Sequence, residues 1–326
     1  MAERILQYRK ALNEALHEEM ERDPNVFIMG EDVGLYGGPL KISEGLYERF
    51  GKMRALDTPI VEEGFVSMGV GAALVGLRPI AEIMYIDFSS LAIDPIVNQA
   101  AKACYMFGGK ASVPLVIRTQ GGAGRGNAAQ HSQSLEAWYA HIPGLVVVQP
   151  STPKDAKGLL KSAIRNNNPV VFIEHKLLYN TKGPVPEGEY LIPIGKAEVK
   201  RAGSDVTIVA TSRMVLLALD AAEKLSKEGI EVEVVDPRTL NPLDMETIAE
   251  SAKKTNRLVV VNEGVRTGGF AAEIVTRACE EVFDYLDGPI VRVTSEDVPM
   301  PYNETLELAA IPSEEKIIAA ARSFFA

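Results

Sequence analysis

The stretch "STPKDAKGLLKSAIRNNNPVVFIE", residues 151–174, holds a helix and a strand in immediate succession. Thr152-Pro153 opens it, with Asp155 at the third position after the threonine. A hydroxyl at the cap, a proline where no N–H is needed and an acid in the first turn start a helix together. The reading is a helix over 152–166, followed by a short and nearly continuous apolar strand over 169–174. The same alternation extends outward. Apolar strands are expected at 26–29, 54–56, 79–84, 113–118 and 144–149, with helices at 63–76, 89–107 and 133–141. Strands that are apolar throughout and alternate with helices make a mainly parallel sheet covered on both faces, an α/β fold. The segment "NTKGPVPEGEYLIPIGKAEVKRAG" (180–203) is rich in proline, glycine and charge and breaks the rhythm. Beyond it, strands are expected at 206–211, 230–235, 257–262 and 289–294, and helices at 213–228, 244–254, 268–283 and 313–325. The expected organisation is one domain over 1–186, a linker over 187–202 and a smaller α/β domain over 203–326.

Composition narrows the function. A formal net charge of -10 argues against nucleic acid or an anionic membrane as partner. Only two cysteines occur, Cys104 and Cys279, far apart within helical, apolar surroundings; they make no disulfide framework or zinc site, which suits a reducing cytoplasm. Residues 1–20 place apolar side chains at 5, 8, 12, 15, 16 and 20, a helical period without an unbroken apolar run. They read as a helix, neither a signal peptide nor a membrane span. Several familiar motifs fail. "GVGAALVG" (69–76) has Leu74 where a dinucleotide fingerprint needs glycine, and "GGAGRGN" (121–127) lacks the lysine of a phosphate loop. "HEEME" (17–21) has a glutamate where a zinc helix needs its second histidine, and no Gly-x-Ser-x-Gly elbow occurs.

Two features remain. "DTPIVEEGF" (57–65) runs from a strand into a glycine-rich helix with Glu62 and Glu63 at its start. Two acids there complement the helix dipole. Alternatively, one of them, flanked by Ile60, Val61, Gly64 and Phe65, is semi-buried and shuttles a proton near neutrality. "GNAAQHSQSLEAWYAHIPGL" (126–145) places two of the four histidines, His131 and His141, at either end of one short helical stretch. His131 sits among small and amide residues at the helix mouth, as either a structural or a working imidazole.

Taken in order, "GEDVGLYGG", "DTPIVEEGF", "GLRPIAEIMYIDF", "DPIVNQAAK", "AAQHSQSLEAWYAHIPGL", "STPKDAKGLLKSAIRNNNPV" and "DVPMPY" span nearly the whole chain. This series resembles the β subunits of the thiamine-diphosphate-dependent decarboxylating component of 2-oxoacid dehydrogenase complexes. The resemblance implies a transketolase-like pyrimidine-binding domain followed by a smaller C-terminal domain. It also implies an enzyme active only with an α subunit, as an α2β2 heterotetramer serving a lipoyl-bearing acyltransferase core. In that family the diphosphate and Mg²⁺ are held by a Gly-Asp-Gly…Asn motif on the α chain, and this sequence contains no Gly-Asp-Gly.

Residue by residue, Glu62 matches the glutamate that contacts N1′ of the aminopyrimidine. By protonating N1′ it favours the imino form, whose nitrogen removes the thiazolium C2 proton. Met84 and Phe88 match positions lining the pyrimidine pocket, and Ile86 stands where relatives often carry an aromatic. Glu31 matches a second acid near the cofactor. His131 matches a histidine facing the thiazolium end, where substrate and the lipoyl arm meet, while His141 reads as structural. The resemblance further implies a K⁺ site formed by main-chain oxygens at Leu115, Ala163, Ile164, Asn166 and Asn168, with Asn166 where relatives often have aspartate. "MFGGK" (106–110) and "EHKLLYN" (174–180) look closest to acetoin dehydrogenases, so acetoin or pyruvate is expected ahead of branched-chain 2-oxoacids. A non-catalytic assembly module on the same fold is the rival reading, which a chain holding both Glu62 and His131 disfavours. A 2-oxoacid:ferredoxin oxidoreductase subunit is disfavoured by the lack of clustered cysteines.

Overall fold

The computed structural model describes residues 3–325, Glu3 by its backbone alone; the outermost ends of the two expected domains, residues 1, 2 and 326, lie outside the described residues. The chain forms two packing units. Of the described residues, the first comprises 3–121 and 138–194, and the second comprises 122–137 and 195–325.

The first unit begins with strand β1 (Glu3–Gln7) and helix α1 (Tyr8–Arg22). The helical period read from residue 5 therefore starts only at Tyr8, because Ile5 is drawn into a strand by a distant partner. It continues through β2 (Val26–Gly30), α2 (Leu46–Phe50), β3 (Ala55–Asp57), α3 (Glu62–Leu74) and β4 (Arg78–Ile83). Next come α4 (Ala101–Met106), β5 (Val116–Gly121), α5 (Glu136–Ala140, whose first two residues are counted in the second unit), β6 (Val146–Val148), α6 (Pro153–Arg165), β7 (Val170–His175) and β8 (Lys182–Pro186). The helix expected over 89–107 is broken into a 3₁₀ segment (Ile86–Ala92), a π-helical segment (Pro95–Ala100) and α4. Pro95 lacks the N–H that a continuous helix would use there, and a widened turn accommodates it.

Helix α6 starts as its sequence dictates. Thr152 accepts from the Asp155 N–H at 3.2 Å and its hydroxyl donates to the Asp155 carboxylate at 2.5 Å. Its buried face carries Ala156, Leu159, Leu160, Ala163 and Ile164, and also Lys157 and Lys161. Those two ammonium groups reach Glu18 of α1 at 2.6 Å each, so α1 and α6 are joined by charge as well as by packing. Six parallel strands form the unit's sheet in the order β6-β7-β5-β4-β2-β3, and β1 pairs antiparallel with β8.

The second unit contains β9 (Glu198–Arg201), β10 (Val206–Ala210), α7 (Met214–Ser226), β11 (Val232–Asp236), β12 (Thr239–Asn241) and α8 (Met245–Thr255). It ends with β13 (Leu258–Val265), α9 (Phe270–Val282), β14 (Val291–Ser295), α10 (Glu304–Ala310) and α11 (Glu314–Arg322). Strand β9 falls within the stretch read as linker. The sheet order is β14-β13-β10-β11-β9, parallel except for β9 against β11. Val206, Ile208, Val234, Val259 and Val261 form its core with Ala218, Ala222 and Leu225 of α7 and Ile317 of α11.

A carboxylate site at the carboxyl edge of the first sheet

Strand β2 has β3 on one side and β4 on the other. The chain leaves β2 for β3, then crosses back to β4, so β2 is the point where strand order reverses. Open parallel sheets bind ligands outside the carboxyl ends of the strands at such a point. The expected site residues of this unit gather there. Glu31 follows β2 directly, Glu62 is the first residue of α3 after β3, Met84 follows β4, and Phe88 lies in the 3₁₀ segment. Glycine is required at position 30. With φ of 155°, a Cβ there would lie 2.6 Å from the Glu82 carbonyl oxygen of the neighbouring strand. Asp57, ending β3, accepts from the N–H groups of Gly34 (2.6 Å) and Leu35 (3.3 Å) and so pins the loop that carries Glu31.

The structure separates the two acids of "VEEG". Glu62 is buried, 4% exposed, whereas Glu63 faces solvent. Val61 precedes the helix and offers no capping side chain. The Glu62 carboxyl therefore lies at the positive end of α3, where anionic charge is favoured. Glu31 is also buried, and its Oε1 has no hydrogen-bond partner among the described residues. Burial pushes the Glu31 carboxyl above the ordinary glutamate range, and repulsion from Glu62, Asp32 and Glu82 pushes the same way. Met84 and Phe88 are half-buried. Two adjacent buried acids, one of them raised and holding an unused oxygen, suit a ligand with a basic ring nitrogen. An aminopyrimidine is such a ligand, so these residues fit the group the resemblance implies.

Sequence reading missed what lies beneath. Arg118 is fully buried in β5 and pairs with Glu82 of β4 and with both carboxylate oxygens of Glu174 in β7, one of them at 2.8 Å. The Tyr179 hydroxyl donates to Glu174 at 2.7 Å. Burial raises the Glu174 carboxyl and Arg118 counters it; the two carboxylates hold the guanidinium well above its ordinary value despite burial. The available signal was a charged residue inside each of three apolar strands, in "PIAEIM", "LVIRTQ" and "VVFIEH".

His131 belongs to the second unit and is half-buried. Its loop is tied at both ends. Ala123 N–H donates to Glu263 at 2.6 Å, and Asn262 donates to Glu136 at 2.8 Å. His141 is exposed. His17 lies 3.2 Å from the Glu44 carbonyl oxygen, and His175 accepts from the Leu177 N–H at 3.1 Å.

Of the five main-chain oxygens expected to bind K⁺, four accept hydrogen bonds. Leu115 accepts from Val170 N–H (2.9 Å) and Ala163 from Asn166 N–H (3.1 Å). Ile164 and Asn166 both accept from the Arg78 guanidinium, at 2.9 and 2.7 Å, and Asn168 donates its own N–H to the Asn166 side chain at 2.9 Å. Each carbonyl has a second lone pair for a cation, although Arg78 already supplies positive charge at two of them. Among the described residues no cluster of three or more His, Cys, Asp or Glu could hold a metal ion, and no helix is long and apolar enough to cross a membrane.

Fold and carboxylate site together define a transketolase-type chain. Residues 5–182 match the transketolase pyrimidine binding domain and residues 195–317 the transketolase C-terminal domain. The mitochondrial pyruvate dehydrogenase E1 component subunit beta-1 of Oryza sativa subsp. japonica is 52% identical over 318 residues, covering 96% of this chain and 85% of its own. The Bos taurus mitochondrial E1 subunit beta is 52% identical over 317 residues, 96% and 88% respectively. The Rhizobium meliloti E1 subunit beta is 48% identical over 316 residues, 97% and 69%. A solved split-gene transketolase, described as an inactive beta4 tetramer, superposes with a TM-score of 0.79 at 25% identity, covering 98% of this chain and 97% of that one. The chain belongs to the E1 β subunits of the decarboxylating 2-oxoacid dehydrogenases, of the pyruvate dehydrogenase type.

Proposed function

We propose that this chain forms the β half of a two-chain active site that decarboxylates pyruvate and passes the acyl group to a lipoyl arm. The observation that carries the reading is the pair of buried acids, Glu62 and Glu31, at the switch point of the first sheet, in a chain about half identical to proteins named pyruvate dehydrogenase subunits. When bound, thiamine diphosphate supplies a thiazolium that accepts the charge left by carbon–carbon cleavage. Glu62 holds and moves a proton at N1′ of the aminopyrimidine, and the raised carboxyl of Glu31 neighbours it. Met84 and Phe88 wall the ring. His131 serves the substrate end, holding the carbonyl oxygen and delivering a proton to the lipoyl sulfur.

The diphosphate and Mg²⁺ belong to an α partner in an α2β2 assembly, since Gly-Asp-Gly is absent from this sequence. A lipoyl-bearing acyltransferase completes the complex, and a reducing cytoplasm suits two free, exposed cysteines. Leu115, Ala163, Ile164, Asn166 and Asn168 are assigned to K⁺ through their carbonyls. Acetoin is the second substrate reading, favoured by residues 106–110 and 174–180.

The test is reconstitution. Alone, the chain should bind thiamine diphosphate negligibly, and with its α partner at micromolar Kd or better. The assembled enzyme should rank pyruvate first in kcat/KM against acetoin and branched-chain 2-oxoacids. Tight Mg²⁺-dependent binding by the lone chain overturns the split site, and acetoin in first place overturns the substrate.

A further inference from the structure

The glycine-rich run that fails as a phosphate loop does bind anions, and they are the chain's own. Gly122 N–H closes the loop on the Gln133 carbonyl at 3.0 Å. Positive φ at Gly122 (89°), Gly124 (95°), Gly126 (64°) and Ala128 (60°) gives the alternating backbone of an anion-binding nest. The amides of Gly124 and Gly126 donate to the two oxygens of Glu307, at 2.8 and 2.9 Å, and the amide of Ala123 donates to Glu263 at 2.6 Å. Glu307 is fully buried, on helix α10, and Glu263 lies on β13. Beside it on β13, Asn262 holds Glu136 at the loop's other end at 2.8 Å. His131 lies between these two attachments.

We propose that Glu307 is a positioning residue for His131: its carboxylate fills the nest at residues 123–126 and fixes the loop that presents the imidazole. The inference rests on the role proposed above for His131. Charge is essential to it. A carboxylate accepts from two N–H groups at once, whereas an amide offers one acceptor oxygen and turns its own NH₂ against the second donor. The nest needs its glycines for a steric reason, since residues at positive φ pay a cost for a Cβ.

The experiment is hydrogen–deuterium exchange across residues 122–133 of the assembled enzyme, paired with kinetics. Glu307→Gln should accelerate exchange of the 123, 124 and 126 amides by about tenfold or more, the loss of at least one charge-assisted hydrogen bond. Lipoyl-dependent kcat should fall by a comparable factor while the Kd for thiamine diphosphate stays unchanged. Glu304→Gln, an exposed acid on the same helix, should alter neither. If Glu307→Gln does not fold, Gly126→Ala strains the nest from the loop side. Its φ is 64° and the nearest atom to a new Cβ is the Tyr302 carbonyl oxygen at 3.7 Å, so it leaves the buried carboxylate in place. Unchanged amide protection in the variants overturns the inference. So does unimpaired turnover in Glu307→Gln when His131→Ala is impaired. Unimpaired turnover in His131→Ala itself overturns instead the role given to the histidine.

Discussion

Replacing Glu62 with glutamine keeps the size and one acceptor oxygen of the side chain and removes its transferable proton. Two roles compete for this residue, and their magnitudes separate them. If Glu62 only complements the positive end of α3, its worth is about 0.3–1 kcal/mol, rising to about 2 kcal/mol when partly buried. Even if all of that were lost from the transition state, about 1.4 kcal/mol per tenfold limits the slowing to roughly 30-fold. If Glu62 instead moves a proton at N1′, general acid–base catalysis predicts a loss of about 10²–10⁴-fold. The assay is deuterium exchange at cofactor C2 in the assembled enzyme, acid-quenched and read by NMR, at cofactor concentrations shown to saturate each variant. Glu63→Gln is the internal control. Glu63 shares the helix end but faces solvent, so its exchange rate should stay within about fivefold of the parent, as for an exposed dipole interaction. A Glu62→Gln enzyme that exchanges within 30-fold of the parent refutes the reasoning and returns Glu62 to the helix dipole.

His131→Ala should leave C2 exchange intact but depress lipoyl-dependent turnover; loss of exchange in that variant would show that the histidine acts on the cofactor instead. Glu31→Gln should change stability in a pH-dependent way. A carboxyl raised by folding contributes stability below its unfolded pKa, about 4.3, and loses it as pH rises through the folded value. The variant should therefore match the parent in Tm near pH 4 and exceed it at neutral pH in melts of the cofactor-free protein, and a pH-independent difference would contradict the repulsion assigned to Glu31. Arg118→Met strands Glu82 and Glu174 without their cation and should cost about 3–5 kcal/mol in urea unfolding, much of it recovered when both acids also become glutamine. A loss below 1 kcal/mol would show that water or protons neutralise the acids without the arginine.

What the sequence made legible was local. The cap of α6 needs only Thr152, Pro153 and Asp155, all within one turn, and the helix begins where they place it. The apolar strands of both sheets were equally plain, because burial on both faces leaves no alternation to misread. Pairings across long separations were not legible. Strand β1 exists because Ile5 lies opposite Pro184 on the other side of the first unit's sequence, and the prolines of β8 hide it from any strand pattern. The attachment of residues 122–137 to the second unit depends on Glu263 and Glu307, more than a hundred residues downstream. Nothing in the glycine run itself announces which carboxylates will fill it.

The candidate site divides in the same way. Glu62 stood out because an acid flanked by apolar residues at a helix start is locally anomalous; the family resemblance singled it out from Glu63, and the fold adds that it alone of the two is buried. Glu82, Arg118 and Glu174 each look like a defect in an apolar strand, and they become intelligible only when the sheet sets β4, β5 and β7 side by side. Their arrangement bears on the site above. One guanidinium is divided between two carboxylates, so the cluster retains negative charge when both acids are ionised, and Glu82 still repels Glu31 from below. Glu62 repels it from the side, and burial penalises a second charge. All three effects push the Glu31 carboxyl above the ordinary glutamate range. A ligand nitrogen that takes up a proton at Glu62 would relieve that crowding, because it replaces repulsion between like charges with an ion pair. The energetic case for a basic ring at this edge of the sheet therefore comes from acids that are poorly accommodated without one.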